Sequence, residues 1–207
     1  MISVIIACAG SGKRMKVEKN KILLEVQGKS ILQYTCEKCT SCEKIDEIIL
    51  VEAKHDLTVV EQLAKKIIHN KPYKVVVGGS ERQYSINNAL QAVDVKSEIV
   101  LIHDAARPMI KVETINKLIK EVEKSSCAIV GVRVKDTIKI ADENKVVSKT
   151  PNRDYLWSIQ TPQGFKLDII KTAYQRAQQE GFLGTDDASL VERLNIAVKV
   201  VEGEYTN

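Results

Sequence analysis

Gly10-Ser11-Gly12 is followed at once by Lys13 and Arg14, and Lys21 stands a short polar stretch further on. Glycines let the backbone take positive φ and approach a ligand with no Cβ in the way. A loop rich in N–H groups and carrying lysine and arginine is suited to holding a polyphosphate. A glycine turn followed by solvated surface cations has the same local signature, and this segment alone does not separate the two. Two familiar phosphate motifs are excluded. Walker A needs four residues between its glycines and then Gly-Lys-Ser/Thr. The dinucleotide fingerprint needs a third glycine where this chain has Met15.

Three more clusters could do chemistry: Gly78-Gly79-Ser80-Glu81-Arg82, His103-Asp104-Ala-Ala-Arg107-Pro108 and Lys135-Asp136-Thr137. Each follows a short run rich in β-branched and apolar residues. Ile2–Ala7, Glu47–Glu52, Tyr73–Val77, Glu98–Ile102 and Cys127–Val134 read as strands buried on both faces. Between them lie helical stripes. Ser30 is placed to N-cap a helix reaching Thr40, Val60, Leu63, Ala64 and Ile67 share one helical face, a helix is expected from about 81 to 93, and Ile115, Leu118, Ile119 and Val122 form another stripe. Strands alternating with helices predict an α/β, Rossmann-like, mostly parallel twisted sheet with helices on both faces. Ligands in such sheets sit beyond the carboxyl ends of the strands. Four loops carrying glycine, arginine, aspartate or threonine therefore converge on one rim, which is far more specific than any single loop.

From 136 to about 153 the pattern changes to apolar–polar alternation around Asp142-Glu-Asn144, as in a β-hairpin. Such an arm has no core of its own, so a partner subunit is expected to cover its apolar side. The chain returns through Trp157–Phe165, a helix near 166–179 with Ile170, Ala173, Tyr174 and Ala177 on one side, a second helix capped near Thr185-Asp186, and a last strand at Ile196–Val201.

Composition narrows the partners. The 207 residues suffice for one substantial domain, here 1–207 with the arm as an outgrowth. The net charge of +4 suits small anions and is too weak and dispersed to indicate nucleic acid. No apolar stretch approaches membrane-spanning length and Met1 leads straight into a strand, so a cytoplasmic protein is expected. Cys36, Cys39 and Cys42 have a C-x-x-C-x-x-C spacing that superficially resembles an iron–sulfur ligand run. They fall on a helix, where three-residue spacing follows one face, and no fourth nearby cysteine precedes a proline. Free thiols are the expectation.

Taken in order, Ala9-Gly10-x-Gly12-x-Arg14-Met15 with Lys21, Gly78-Gly79-x-x-Arg82, His103-Asp-Ala-Ala-Arg-Pro108, Asp136-Thr137, Arg153 with Leu156-Trp157, Thr161-Pro162-Gln163 and Thr185-Asp186-x-Ala188-Ser189 resemble the 2-C-methyl-D-erythritol 4-phosphate cytidylyltransferase family of the non-mevalonate isoprenoid pathway. The resemblance covers nearly the whole chain. It implies that a polyol phosphate attacks the α-phosphorus of CTP and releases pyrophosphate, with Mg²⁺ bridging triphosphate oxygens and a homodimer formed through the arm. Ribitol-5-phosphate cytidylyltransferases carry closely similar motifs, and a non-catalytic nucleotide-binding module is a further alternative. Arg14 and Lys21 match the family's transition-state cations. Cys8, Ala9, Gly10, Gly12, Gly79, Ser80 and Ser85, with Arg82 supporting their loop, match its nucleotide side. Asp104, Arg107, Thr137, Arg153, Thr161 and Thr185 match the acceptor side, Thr137 and Arg153 reaching into the neighbouring subunit. Read residue by residue, Asp104 and Arg107 could simply pair with each other, and Thr185 could be only a helix cap. Departures exist: Ala7 stands where the family commonly has proline, Cys8 where it has alanine, and Ser80 where it often has aspartate. The family also continues past the position of Asn207 with Ile-Lys and a closing helix. That lysine helps bind substrate phosphate, so either a tail follows Asn207 or this ligand is lacking.

Overall fold

The computed structural model describes residues 1–9 and 20–207. Its centre is β1 (Ile2–Ala7), an Ile-Ser-Val-Ile-Ile-Ala run whose middle four residues are buried. It pairs in parallel with β4 (Glu47–Glu52) on one side and β6 (Ile99–Asp104) on the other, so that Ile5 sits opposite both Ile49 and Ile102. With β5 (Tyr73–Val77), β7 (Cys127–Arg133), β10 (Trp157–Lys166) and β11 (Lys199–Glu202) they form a seven-stranded sheet in the order β11-β7-β10-β6-β1-β4-β5. Two short pairs lie apart from it: β2 (Glu25–Val26) with β3 (Lys29–Ser30), and β8 (Ile140–Ala141) with β9 (Val147–Lys149).

The two-residue period of a strand sorts the core into two layers. Val4 and Ile6 pack under α1 (Ile31–Ser41), α2 (Leu57–Ile67) and α4 (Val112–Ser125), with Leu32, Val60, Leu118 and Ile119. Ile5, Ile49 and Val51 face α3 (Arg82–Ala92), α5 (Leu167–Gln179) and α6 (Asp187–Glu192), with Ile86, Leu90, Ile170 and Tyr174. The predicted helical stripes are therefore the buried faces. Ser30 caps α1 by accepting a hydrogen bond from the Gln33 N–H at 3.1 Å. Cys36, Cys39 and Cys42 lie in that same core layer beside Leu32 and Ile45. Burial pushes the Cys39 thiol up to about 12 and the Cys36 thiol well above its usual value, so both are held protonated.

The segment after the arm is a strand that the sequence does not advertise. β10 runs antiparallel between β6 and β7, whereas every other pairing in this sheet is parallel. Its register shifts between Ile159 and Gln163, around Pro162, which has no N–H to give a ladder. Gly164 is needed there because a Cβ would lie 2.8 Å from Val122 Cγ2. The last strand begins at Lys199 rather than Ile196, since Ile196 and Val198 turn instead onto the layer of α5 and α6. The hairpin arm is present. Asp142 Oδ1 accepts from the Asn144 and Val146 N–H groups at 3.0 and 2.9 Å, an aspartate turn that fixes its tip. Ile140, Val146 and Val147 on the arm are about half exposed or more. No helix among the described residues is long and apolar enough to cross a membrane.

Candidate active site

The carboxyl ends of β1, β4, β5 and β6 lie side by side and are stitched together by backbone hydrogen bonds. The Cys8 and Ala9 N–H groups donate to Val51 O at 2.9 and 3.0 Å, Gly78 N–H to Glu52 O at 2.7 Å, and Ala105 N–H to Ala7 O at 3.0 Å. This brings Cys8, Ala9, Gly79 and Ser85 to one rim. Gly79 N–H donates to Ser85 Oγ at 3.0 Å, folding the Gly78–Ser80 turn back over the start of α3. A Cβ on Gly79 would stand 2.5 Å from Tyr84 Cβ, so only glycine fits. Ser80 is exposed at the tip of that turn. Burial holds the Cys8 thiol protonated.

A second group of side chains surrounds the end of β6. Arg82 Nη2 donates to Asp187 Oδ2 at 2.8 Å and to Asp104 Oδ1 at 3.4 Å. Arg107 Nε reaches Asp104 Oδ2 at 3.5 Å, so the carboxylate lies between two guanidiniums and its pairing with Arg107 is long. Arg107 Nη1 donates to Asn207 O at 3.2 Å. Burial works against the Arg82 charge, but Asp187 beside it outweighs burial and raises its pKa above the usual arginine value. Asp187 is itself buried and also accepts a hydrogen bond from the Tyr174 hydroxyl.

His103 decides the shape of the following turn. The Asp104 N–H donates to Thr161 Oγ1 at 3.0 Å, and Thr161 Oγ1 lies 3.0 Å from His103 Nδ1. Burial lowers the imidazole to about 4, so it is neutral at ordinary pH. With the Thr161 oxygen already accepting, its hydroxyl donates to Nδ1. Nε2 then carries the proton and donates to Arg107 O at 3.1 Å. Thr161 thus spends its hydroxyl on the scaffold.

Gln163 is buried and bridges β10 to the start of α6: its Nε2 donates to Asp186 Oδ2 at 2.8 Å and its Oε1 accepts from Ala188 N–H at 3.0 Å. The cap of α6 is Asp186, taking the Ser189 N–H at 2.9 Å; Thr185 is exposed just before it and is not the cap.

Comparison with known proteins gives a family for this rim. The family described as 2-C-methyl-D-erythritol 4-phosphate cytidylyltransferase matches residues 2–207. The chain belongs to that family. A protein of that description from Caldanaerobacter subterraneus subsp. tengcongensis is 46% identical over 207 residues, covering all of this chain and 91% of the relative. One from Bacillus velezensis is 42% identical, covering 99% of this chain and 88% of the relative. Among solved structures, 4-diphosphocytidyl-2C-methyl-D-erythritol synthase from Anaerococcus prevotii superposes with a TM-score of 0.90 at 38% identity, over all of this chain and 88% of that one. The Francisella tularensis 2-C-methyl-D-erythritol 4-phosphate cytidylyltransferase gives 0.81 at 29% identity, over all of this chain and 92% of that one. By family the chain is a nucleotidyltransferase.

Arg82, Asp104, Arg107 and Thr161 are gathered by direct hydrogen bonds, next to the rim formed by Cys8, Ala9, Gly79 and Ser85. Lys21 opens a short 3-10 turn, Lys21–Leu23, and is half-buried. Gly10, Gly12 and Arg14 lie outside the described residues. Thr137 and Arg153 are exposed at the base of the arm, where Arg153 Nη1 donates to Lys135 O at 2.8 Å, and neither has a hydrogen bond to Asp104 or Arg107. Asp187, Glu52 and Asn20 were not legible as site residues, and Gln163 stood in the Thr161-Pro162-Gln163 motif with no role assigned. Asp187 is the unspecified position of Thr185-Asp186-x-Ala188, and the others are polar residues whose partners lie far away in sequence.

Proposed function

We propose that the chain transfers a cytidylyl group from CTP to 2-C-methyl-D-erythritol 4-phosphate. The products are 4-diphosphocytidyl-2-C-methyl-D-erythritol and pyrophosphate, in non-mevalonate isoprenoid biosynthesis. The observation that carries this is the family match along residues 2–207. An acceptor phosphate oxygen attacks the α-phosphorus, the α–β bridging bond breaks, and pyrophosphate leaves. The nucleophile is already an oxyanion, so no general base is needed. The task is to bring two polyanions together and stabilise charge at the α-phosphate.

On this reading Arg14 and Lys21 stand at the α-phosphate. The backbone of Cys8, Ala9, Gly10, Gly12 and Gly79, with Ser80 and Ser85, receives the nucleotide, and Arg82 ties the start of α3 to Asp187 and Asp104. Asp104, Arg107 and Thr185 form the acceptor side, and Thr161, expected there too, serves it by holding the turn that carries Asp104. Thr137 and Arg153 reach a neighbouring protomer's acceptor side in a homodimer covering the arm. Their exposure on the arm, where the Arg153 side chain bonds only to Lys135 O among the described residues, is what supports this arrangement. Mg²⁺ belongs to the proposal. In it the ion is carried mainly on triphosphate oxygens. Bound there, it would neutralise phosphate charge. The proposal includes a cytoplasmic location, where CTP is available and buried free cysteines would stay reduced.

Pyrophosphate release with CTP and each of the two polyol phosphates tests the reading. Turnover is expected with methylerythritol phosphate, and Lys21→Ala should lower kcat by about 10²–10³-fold, the scale of one lost electrostatic donor. Turnover with ribitol 5-phosphate alone would overturn the acceptor assignment.

A further inference from the structure

Glu52 ends β4 with a fully buried carboxylate. Its Oε1 accepts the Ala53 N–H at 2.6 Å and its Oε2 accepts Asn20 Nδ2–H at 3.0 Å. Among the described residues no lysine or arginine pairs with it. From β1 it faces the protonated Cys8 thiol, and from the segment after β4 it faces Asp56 and His55, which pair with each other at 3.4 Å. Among the described residues the carboxylate is met by hydrogen-bond donors alone, the Ala53 N–H and the Asn20 amide.

Asn20 is a junction. Its amide nitrogen also lies 3.4 Å from Cys8 O and 3.4 Å from Asp56 Oδ2, while its Oδ1 takes the Ile22 N–H at 3.4 Å and so starts the turn that begins with Lys21. Two amide hydrogens are shared among three acceptors, and the Glu52 oxygen is the shortest of them. One side chain therefore ties the carboxyl ends of β1 and β4 to the residue before the proposed catalytic lysine.

We propose that Glu52 is a positioning residue for cytidylyl transfer: its carboxylate anchors Asn20 and thereby sets where the adjoining Lys21 stands. This role rests on the transferase reading above. Burial raises the Glu52 carboxyl to about 7, with Asp56 adding to the shift, so the anchor is made near and above neutral pH and weakens below it. Once protonated, Oε2 no longer offers Asn20 the same acceptor.

Two measurements on the full chain test this. In the first, the side-chain amide resonances of Asn20, assigned by their loss in Asn20→Ala, are followed from pH 6 to 8. They should titrate with a midpoint near 7 in the wild type and in His55→Gln, and stay still in Glu52→Gln, which cannot ionise. In the second, kcat for pyrophosphate release is compared across the same range. Glu52→Gln should fall about tenfold below wild type at pH 8, and the ratio should close toward unity at pH 6, where only about a tenth of the wild-type carboxyl is ionised. Ionisation of the substrate phosphates affects both proteins alike and cancels in that ratio. Asn20→Ala should match Glu52→Gln, and the double variant should be no slower than either single one. A merely structural Glu52 would give a ratio constant with pH. That result, or an Asn20 amide that does not titrate, overturns the proposal. A wild type that releases no pyrophosphate with either acceptor overturns the transferase reading instead, and the Asn20 resonances then decide the anchor by themselves.

Discussion

The Arg82–Asp187–Tyr174 cluster carries a prediction that can be worked from its geometry. Asp187→Ala removes a carboxylate with no exposed side-chain surface, leaving Arg82 with its 3.4 Å contact to Asp104. It also leaves a buried tyrosine hydroxyl without its acceptor. Breaking a buried ion pair by deleting one partner costs about 3–5 kcal/mol. The Arg82 side chain is 37% exposed, so water can recover part of that loss and the pair is discounted to about 2 kcal/mol. An unsatisfied buried hydroxyl adds about 1 kcal/mol at least. The sum is about 3 kcal/mol, which in a chain of this length lowers the melting temperature by about 6–12 °C. Melting followed by circular dichroism at fixed protomer concentration reads this. A double-mutant cycle with Arg82→Ala should show the two losses overlapping by about 1 kcal/mol or more, because both remove one interaction. The acceptor KM should rise as well, since the released Arg82 can close on Asp104. An Asp187→Ala protein within 1 kcal/mol of wild type, or single losses that simply add, would refute this account of the cluster.

Glu52 and His103 should oppose each other in the pH dependence of stability. The native Glu52 pKa is raised from 4.5 to about 7, so its contribution is present below 4.5 and lost as pH rises to about 7; the native His103 pKa is lowered from 6.5 to about 4, so its contribution is present above 6.5 and lost as pH falls to about 4. The two slopes cancel between them in wild type, and Glu52→Gln should unmask a loss of up to about 1.4 kcal/mol per pH unit on acidification, seen in urea melts at pH 5 and 6.5; an unchanged slope would sink the assignment. On the arm, Ile140→Asp with Val147→Asp, at residues 48% and 54% exposed, should shift the protein from dimer to monomer in sedimentation and reduce turnover, whereas an unchanged mass would rule out the arm as the interface.

β1, β4, β5, β6 and β7 were legible because each is a dense apolar run, and α2, α4 and α5 because each shows its buried stripe at 3.6-residue spacing. β10 was not. Trp-Ser-Ile-Gln-Thr-Pro-Gln-Gly-Phe has polar residues, a proline and a glycine where a central strand is expected to be β-branched. Its place comes from the gap between β6 and β7 and from inward hydrogen bonds of Gln160, Thr161 and Gln163 that no local pattern announces. Of the four loops expected at one rim, Gly78–Arg82 and His103–Arg107 meet through Arg82 and Asp104, and these were legible for a related reason: backbone-approach glycines and strand-end charges have local signatures. Asp187, Gln163 and Glu52 lack them, because a polar residue in a buried position acquires meaning only from a partner many residues away.

That division matters for what the site can do. Arg82 is tied to Asp187 at 2.8 Å, within the range of a strong charge-assisted bond, and Asp187 is buried. The contacts of Asp104 with Arg82 and Arg107, at 3.4 and 3.5 Å, are at the outer limit of hydrogen bonding, and this carboxylate is 35% exposed. The structure thus spends its short bonds on groups that no ligand needs to displace and leaves Asp104 and Arg107 loosely paired at the rim. On the proposed acceptor side, a polyol hydroxyl or phosphate would take over such long contacts at little cost, while the neutral His103 and the Thr161 hydroxyl keep the backbone of the turn where it is. An acceptor side built the other way, with a tight Asp104–Arg107 pair and a free Arg82, would have to break its own ion pair before it could bind an anion.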